Sequence, residues 1–89
     1  MRAKFLVENI VVSAAVDPQT GETHTTMEEL LMGAVGRNDG YPPTGLNEDN
    51  VFSLWTPTGE LRMTITNPAL FGKLAIGDAY YLNFEKAEK

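Results

Sequence analysis

The chain has 89 residues, a hydrophobic content of 43%, a formal net charge of −5 and no cysteine. This length predicts one domain with a single modest core, and no apolar run is long enough to span a membrane. The lack of cysteine excludes disulfides, thiolate nucleophiles and zinc–thiolate sites. The acidic balance disfavours contact with a phosphate backbone, so we do not expect nucleic acid as a partner.

The first element is a strand region from Lys4 to Val16. Apolar residues occupy both parities of this run, which indicates a strand that is buried on both faces or bent near residues 8–9. A turn follows at residues 17–22, where Asp, Pro and Gly concentrate. We therefore expect a long first strand that reverses direction about Thr20-Gly21.

Residues 25–35 have two interpretations. Thr25 with Glu28, or Thr26 with Glu29, forms the capping box that begins a helix. The same residues suit the return strand of a hairpin, because threonine has high β propensity and the first strand needs a partner. The hairpin context favours the strand.

The second half of the chain contains a long irregular loop, a hairpin and a short helical turn. Gly, Pro, Asn and Asp dominate residues 36–50, a loop length that is often functional in so small a domain. Runs of alternating polarity at 51–55 and 60–66 flank Thr-Pro-Thr-Gly, which predicts a hairpin. Asn67-Pro68 suits the cap and first position of a helical turn, and a closing strand is expected at 80–84.

These elements predict an all-β fold with one short helical turn, in a single domain spanning residues 1–89. The order of the elements favours a small five-stranded barrel that is SH3-like, with an OB-like barrel as the alternative. A small five-stranded sheet leaves open edges, and open edges pair with other chains. A homo-oligomer formed through an edge strand or an aromatic face is therefore expected.

The second half of the chain resembles a family of small uncharacterised proteins of tailed bacteriophages and prophages. The resemblance rests on Thr-Pro-x-Gly at 56–59, Ile-Thr-Asn-Pro at 65–68 and Gly-x-x-Tyr-Tyr-x-x-Phe at 77–84. It covers about half of the chain and carries no assigned activity. The chain departs from the family pattern in its longer loop at 36–46 and in the tryptophan at position 55. The resemblance implies a phage-encoded protein that is located in the host cytoplasm or in the virion.

Catalytic and metal-binding patterns are weak in this sequence. His24 is the only histidine and has no Cys or Ser partner pattern, so it is a poor general base. Glu48 and Asp49 offer oxygen ligands for a hard cation, but their spacing does not match the twelve-residue calcium loop. We therefore predict no enzymatic activity, no catalytic residues, no metal site and no cofactor.

The candidate binding residues are aromatic side chains and arginines. Aromatic and arginine side chains are enriched in the hot spots of protein interfaces, and aromatic side chains also stack single-stranded bases in small barrels. Two prolines after Tyr41 stiffen the loop and lower the entropy cost of presenting it. The structural alternative is that these rings complete the core. The candidates are Trp55, Tyr41, Tyr81, Arg37 and Arg62.

The function predicted from these features is binding without catalysis, inside the infected cell. The target would be a host or phage protein, or a small nucleotide-like ligand of the kind that counter-defence proteins capture. Capture of such a ligand would require a pocket built between subunits with a basic lining for its phosphates, and Arg37, Arg62 and Lys73 are the residues to test. The alternatives are a structural accessory protein of the capsid or tail and, less favoured, a barrel that binds single-stranded nucleic acid.

Overall fold

A computed structural model describes residues 1–37 and 39–88. Within these residues the chain forms one antiparallel four-stranded sheet and one short 3-10 turn, with the strand order β3-β2-β1-β4. The all-β prediction and the helical turn before the last strand are therefore confirmed. The strands are β1 Arg2–Val16, β2 Thr23–Ala34, β3 Glu60–Ile65 and β4 Ala79–Asn83, and the turn is Pro68–Leu70.

The predicted five-stranded barrel, SH3-like or OB-like, is wrong. The described sheet is open and has four strands, with β3 and β4 at its two edges. The run at 51–55 does not form a strand; only Leu54 makes an isolated bridge, to Leu46. Trp55 has a positive φ of 61°, which breaks an extended path. The predicted hairpin is therefore absent, and β3 pairs with β2 instead.

The hairpin of β1 and β2 confirms the strand interpretation of residues 25–35. The Asp17 N–H donates to the Glu22 carbonyl, and the Gly21 N–H donates to the Asp17 carbonyl, both at 2.8 Å. Pairing with β1 on one side and β3 on the other places Leu30 and Met32 in the core. A helix could not form hydrogen-bonded ladders with both neighbouring strands, so tertiary pairing outweighs the capping-box signal.

The core lies on one face of the four-stranded part of the sheet. The segment after the 3-10 turn covers this face with Phe71 and Leu74. The Gly72 N–H donates to the buried carboxylate of Glu28 at 3.2 Å, which ties the covering segment to β2. The buried apolar side chains are Ala3, Phe5, Val7, Leu30, Met32 and Ile65.

The hairpin extends well beyond the other two strands. β4 pairs with Arg2–Leu6 and β3 pairs with Glu28–Gly33. Residues 13–16 and 23–27 therefore form a two-stranded ribbon. Residues 10–12 pair with Glu28–Leu30 of β2, which β3 borders on its other side, but they have no strand at their own outer edge. We call residues 10–16 and 23–27 the arm. The molecule measures 63 × 35 × 15 Å, and its radius of gyration is 17.3 Å, whereas a compact domain of this length has about 12 Å. The arm accounts for this elongated shape.

Candidate binding site

The loop between β2 and β3 is held against the sheet by Asn50. This side chain is 0% exposed. Its Oδ1 accepts from the Lys4 N–H at 2.8 Å, and its Nδ2 donates to the Val35 carbonyl at 2.7 Å. The amide therefore bridges β1 and the end of β2, since both of its polar atoms are paired. An irregular loop can be ordered by such an anchor without a strand of its own.

Trp55 is displayed by a local contact with Gly45. The Trp55 N–H donates to the Gly45 carbonyl at 2.7 Å, and a Cβ at Gly45 would lie 2.7 Å from the indole ring. Trp55 itself has a left-handed backbone, which is uncommon for a large side chain and is found preferentially at functional sites. Trp55 as a whole residue nevertheless stays 51% exposed. The loop therefore fixes the ring in position without burying it.

Two of the predicted binding residues meet here, because Tyr41 lies beside Trp55. Their ring centroids are 6.2 Å apart with an interplanar angle of 71°, an edge-to-face pair. Leu46, Val51 and Leu54 are exposed in the same loop. We call these side chains the loop surface, which comprises Tyr41, Trp55, Leu46, Val51 and Leu54.

Arg37, a third predicted residue, lies at the margin of the loop surface and is paired with Asp39. Its N–H donates to the Tyr41 hydroxyl at 3.2 Å, and its guanidinium donates to both Asp39 oxygens at 3.2 Å. This hydrogen bonding, assisted by charge attraction, raises the pKa of Arg37 and lowers the pKa of the Asp39 carboxyl. The guanidinium is therefore already engaged by an anion within the chain.

A cleft of about 350 Å³ opens next to Arg37. Its ionisable residues are two cations and three carboxylates. Asn47, which lines the cleft, is 5% exposed; its Oδ1 accepts from the Asp49 N–H, while its Nδ2 has no hydrogen-bond partner. A buried amide donor without a partner is costly. This Nδ2 lies below the surface of the cleft, so an incoming acceptor would reach it only after a local rearrangement. The cleft is lined by Lys4, Val35, Gly36, Arg37, Asp39, Asn47, Glu48 and Asp49.

Tyr81 connects β4 to the same cleft. Its hydroxyl donates to Asp49 Oδ1 at 3.0 Å, and the Arg2 guanidinium lies 4.6 Å from the centroid of its ring. Asp49 also lies 3.7 Å from Arg2 and 3.9 Å from Lys4 Nζ. Four predicted binding residues, Trp55, Tyr41, Arg37 and Tyr81, therefore lie on or beside this loop.

Arg62 belongs to a different part of the surface. It lies on β3, and its guanidinium pairs with the Glu60 carboxylate. It lines a separate hollow of about 350 Å³ together with Asn9 and Glu29. The structure therefore does not bring Arg62 to the loop surface. Within one chain, the hollow beside Arg62 does not include Arg37, and the cleft beside Arg37 does not include Arg62.

Sequence reasoning missed the roles of Arg2, Asn47 and Asp49. The sequence indicates Asp49 as an oxygen-bearing loop residue, but the unpaired amide of Asn47 depends on burial that local sequence does not encode. Arg2 meets Tyr81 because β1 pairs with β4 across the length of the chain. Among residues 1–37 and 39–88, no three His, Asp or Glu side chains converge to hold a metal ion.

Comparisons with protein-family models, with curated proteins and with solved structures found no match. Among the described residues, no helix has the length and apolar character that a membrane span requires. The geometry of the loop surface and its cleft is therefore the basis for the proposal that follows.

Proposed function

We propose that the protein is a phage-encoded, non-enzymatic binding protein that recognises a segment of a protein partner in the infected cell. The observation that carries this proposal is Trp55, fixed half-exposed by Gly45 next to the cleft that contains the unpaired Asn47 amide. Rigid, partly exposed aromatic side chains act as anchors in protein interfaces. The phage origin is supported by the resemblance of residues 52–84.

The chemistry of the cleft favours a peptide over a phosphate. A main-chain carbonyl of the partner would accept from Asn47 Nδ2 once a small shift of the loop exposes this atom, which is buried and unpaired among the described residues. A lysine or arginine of the partner would pair with Glu48, the cleft carboxylate for which the described residues supply no ion pair. An apolar side chain of the partner would pack against the Trp55 ring. Each contact satisfies a group that the protein leaves unpaired or exposed.

A small nucleotide-like ligand is less well supported by the same cleft. A phosphate there would face Asp39, Glu48 and Asp49, and like charges in close contact oppose binding. Arg37 is the arginine of this cleft that could bind the phosphate, but its guanidinium already donates to Asp39. Nucleotide capture would therefore need further cations from a second chain.

The alternative function is a structural accessory protein of the virion, and one observation favours it. The arm projects from the sheet and carries exposed valines, Val11, Val12 and Val16. Extended ribbons of this kind suit attachment between subunits of an assembly, because they offer open edges for strand addition. Sedimentation of purified particles tests this directly: a virion protein remains with the particle band.

The test of the proposed function begins with capture of the partner from infected cells by the tagged protein. The affinity of the purified partner is then measured by calorimetry for the wild type, Trp55→Ala and Val16→Ala. Loss of an interface anchor is worth about 2 kcal/mol, or about a thirtyfold rise in Kd. Val16 is the control, because it is also an exposed apolar residue, 62% against 51% for Trp55, but lies at the end of the arm.

The expected result is weak binding by Trp55→Ala and unchanged binding by Val16→Ala. Wild-type affinity in Trp55→Ala would contradict the loop surface as the binding site. Native mass spectrometry of the wild type adds a second criterion. A bound small molecule would contradict a protein partner and would favour capture of a small ligand instead.

A further inference from the structure

The outer edge of β1 in the arm is an open strand without charge. β4 pairs with β1 only as far as Leu6, and the segment Ile10–Val16, with the sequence IVVSAAV, contains no ionisable residue, no Gly and no Pro. Natural sheets protect exposed edges with charges, prolines or very short strands. None of these devices is present in this segment.

At alternate residues of this segment, the backbone N–H and C=O groups point toward the open edge. The Thr26 hydroxyl donates to the Ser13 carbonyl at 3.2 Å, so Ser13 directs its backbone polar groups toward β2. Successive residues of a strand direct these groups to opposite sides. Val12 and Ala14 therefore present their N–H and C=O groups to the open edge, where they can form a new ladder.

The other described edges lack this combination of features. The edge of β3 carries Glu60 and Arg62, and β4 is only five residues long. The open part of β2 is polar, with His24 among three threonines. The charge-free segment is unusual in a chain with a net charge of −5, because two such chains repel each other wherever their carboxylates approach.

We infer that the edge of β1 pairs antiparallel with the same edge of a second copy, about a two-fold axis at Ser13. Ser13 is the central residue of the charge-free segment, so Val12 of one copy pairs with Ala14 of the other and exchanges both hydrogen bonds. A two-fold interface brings the same surface of both copies into contact. An uncharged segment allows this contact without repulsion between like charges. At the ends of the paired segment, Asp17 of one copy lies opposite Asn9 of the other rather than opposite a like charge.

The arrangement joins two sheets into one eight-stranded sheet through the two arms. It also accounts for the exposure of Val11, Val12 and Val16, which gain neighbours from the second arm. The inference goes beyond the proposed function and does not depend on the loop surface. Trp55→Ala should therefore remain dimeric, so the failure of one proposal is distinguishable from the failure of the other.

The first test is sedimentation equilibrium from about 1 μM to about 100 μM, a range in which weak dimers dissociate. The wild type should dimerise. Ser13→Lys should raise the dimer Kd about tenfold or more, because it places two cations directly opposite each other across the axis. Met27→Lys is the matched control, since Met27 is the register partner of Ser13 on β2. Circular dichroism verifies that each variant folds.

The second test uses the cysteine-free background and covers the case in which a lysine variant does not fold. In the dimer, two Ser13 Cα atoms lie about 4.5 Å apart, whereas two Met27 Cα atoms are separated by three strand spacings, about 14 Å. A disulfide spans at most about 7 Å between Cα atoms. Ser13→Cys should therefore form a covalent dimer under mild oxidation, and Met27→Cys should not.

Three outcomes would overturn the inference. One is a wild type that stays monomeric at every concentration; another is equal dimerisation of the two lysine variants. The third is disulfide formation by Met27→Cys in preference to Ser13→Cys.

Discussion

The base and the arm of the β1–β2 hairpin are built from the same two strands but have opposite environments. In the base, β3 and β4 extend the sheet and the segment after the 3-10 turn covers one face. In the arm β4 is absent, β3 reaches only the β2 partners of residues 10–12, and valines lie in solvent. Val7 is 0% exposed, whereas Val16, on the same strand, is 62% exposed.

The difference teaches that strand formation and burial are separate consequences of sequence. Both halves belong to one antiparallel ladder with two register shifts, and β-branched residues, which favour strands, are concentrated in the arm. Burial requires a second layer, which the chain supplies only at the base. The arm is held by its ladder, its turn and local bonds such as that from Thr26 to Ser13. Its apolar side chains remain available for contacts outside the chain.

The strongest way to test this comparison is one substitution made in both halves. Val7→Ala should lower the free energy of unfolding by about 2–3 kcal/mol, because it leaves a cavity in a packed core. Val16→Ala should change it by less than about 0.5 kcal/mol, since an exposed side chain loses little packing. Urea denaturation of monomeric protein measures both. Equal effects would show that the arm is as well packed as the base.

A second substitution tests whether the loop belongs to the base. Asn50→Ala removes the hydrogen bonds to the Lys4 N–H and the Val35 carbonyl and leaves both groups without a partner. The expected loss is about 2 kcal/mol of unfolding free energy. Asn83→Ala, an exposed position on β4, is the control and should be close to neutral. If both variants are neutral, Asn50 does not anchor the loop.

A third change separates the display of Trp55 from the stability of the loop. Gly45→Ala places a methyl group against the indole ring and imposes a left-handed backbone on alanine, for an expected loss of about 1–2 kcal/mol. Gly40→Ala has the same backbone requirement but meets no atom within 4 Å. Fluorescence of Trp55, the single tryptophan of the chain, should shift in Gly45→Ala only. A shift in both variants would contradict a direct contact between Gly45 and Trp55.

The smallest expected effect concerns the Arg37–Asp39 pair. The hydrogen bond from Arg37 lowers the pKa of the Asp39 carboxyl in the folded state. This contribution is present above the ordinary carboxyl pKa and is lost as pH falls through the lowered value. NMR titration should show that Arg37→Gln returns the Asp39 pKa toward its ordinary value. An unchanged pKa in that variant would exclude Arg37 as the cause.

Local signals predicted much of the fold because they act between near neighbours. The turn at 17–22, the cap of Asn67 on the 3-10 turn and the closing strand follow from residues that lie close together in the sequence. The prediction was wrong at 51–55, where alternation suggested a strand. Trp55 instead bonds to Gly45 and takes a left-handed backbone, a constraint that alternation does not reveal.

The candidate site was predictable in its residue types but not in its assembly. Aromatic and arginine side chains in a long loop indicated Tyr41, Trp55 and Arg37, and the structure brings these together. It separates Arg62, which pairs with Glu60 on β3. The proximity of Tyr81 depends on the pairing of β1 with β4, which joins residues nearly 80 positions apart.

The sequence alone determined the all-β class, the hairpin and its turn, because propensity, polarity period and turn chemistry are local properties. The charge-free segment at 10–16 is also a property of the sequence alone, whatever fold the chain adopts. The tertiary structure decided that the sheet stays open, that β3 pairs with β2 and that half of the hairpin has no covering layer. These outcomes depend on which distant segments pack together, and that choice is made by burial and hydrogen-bond satisfaction over the whole chain.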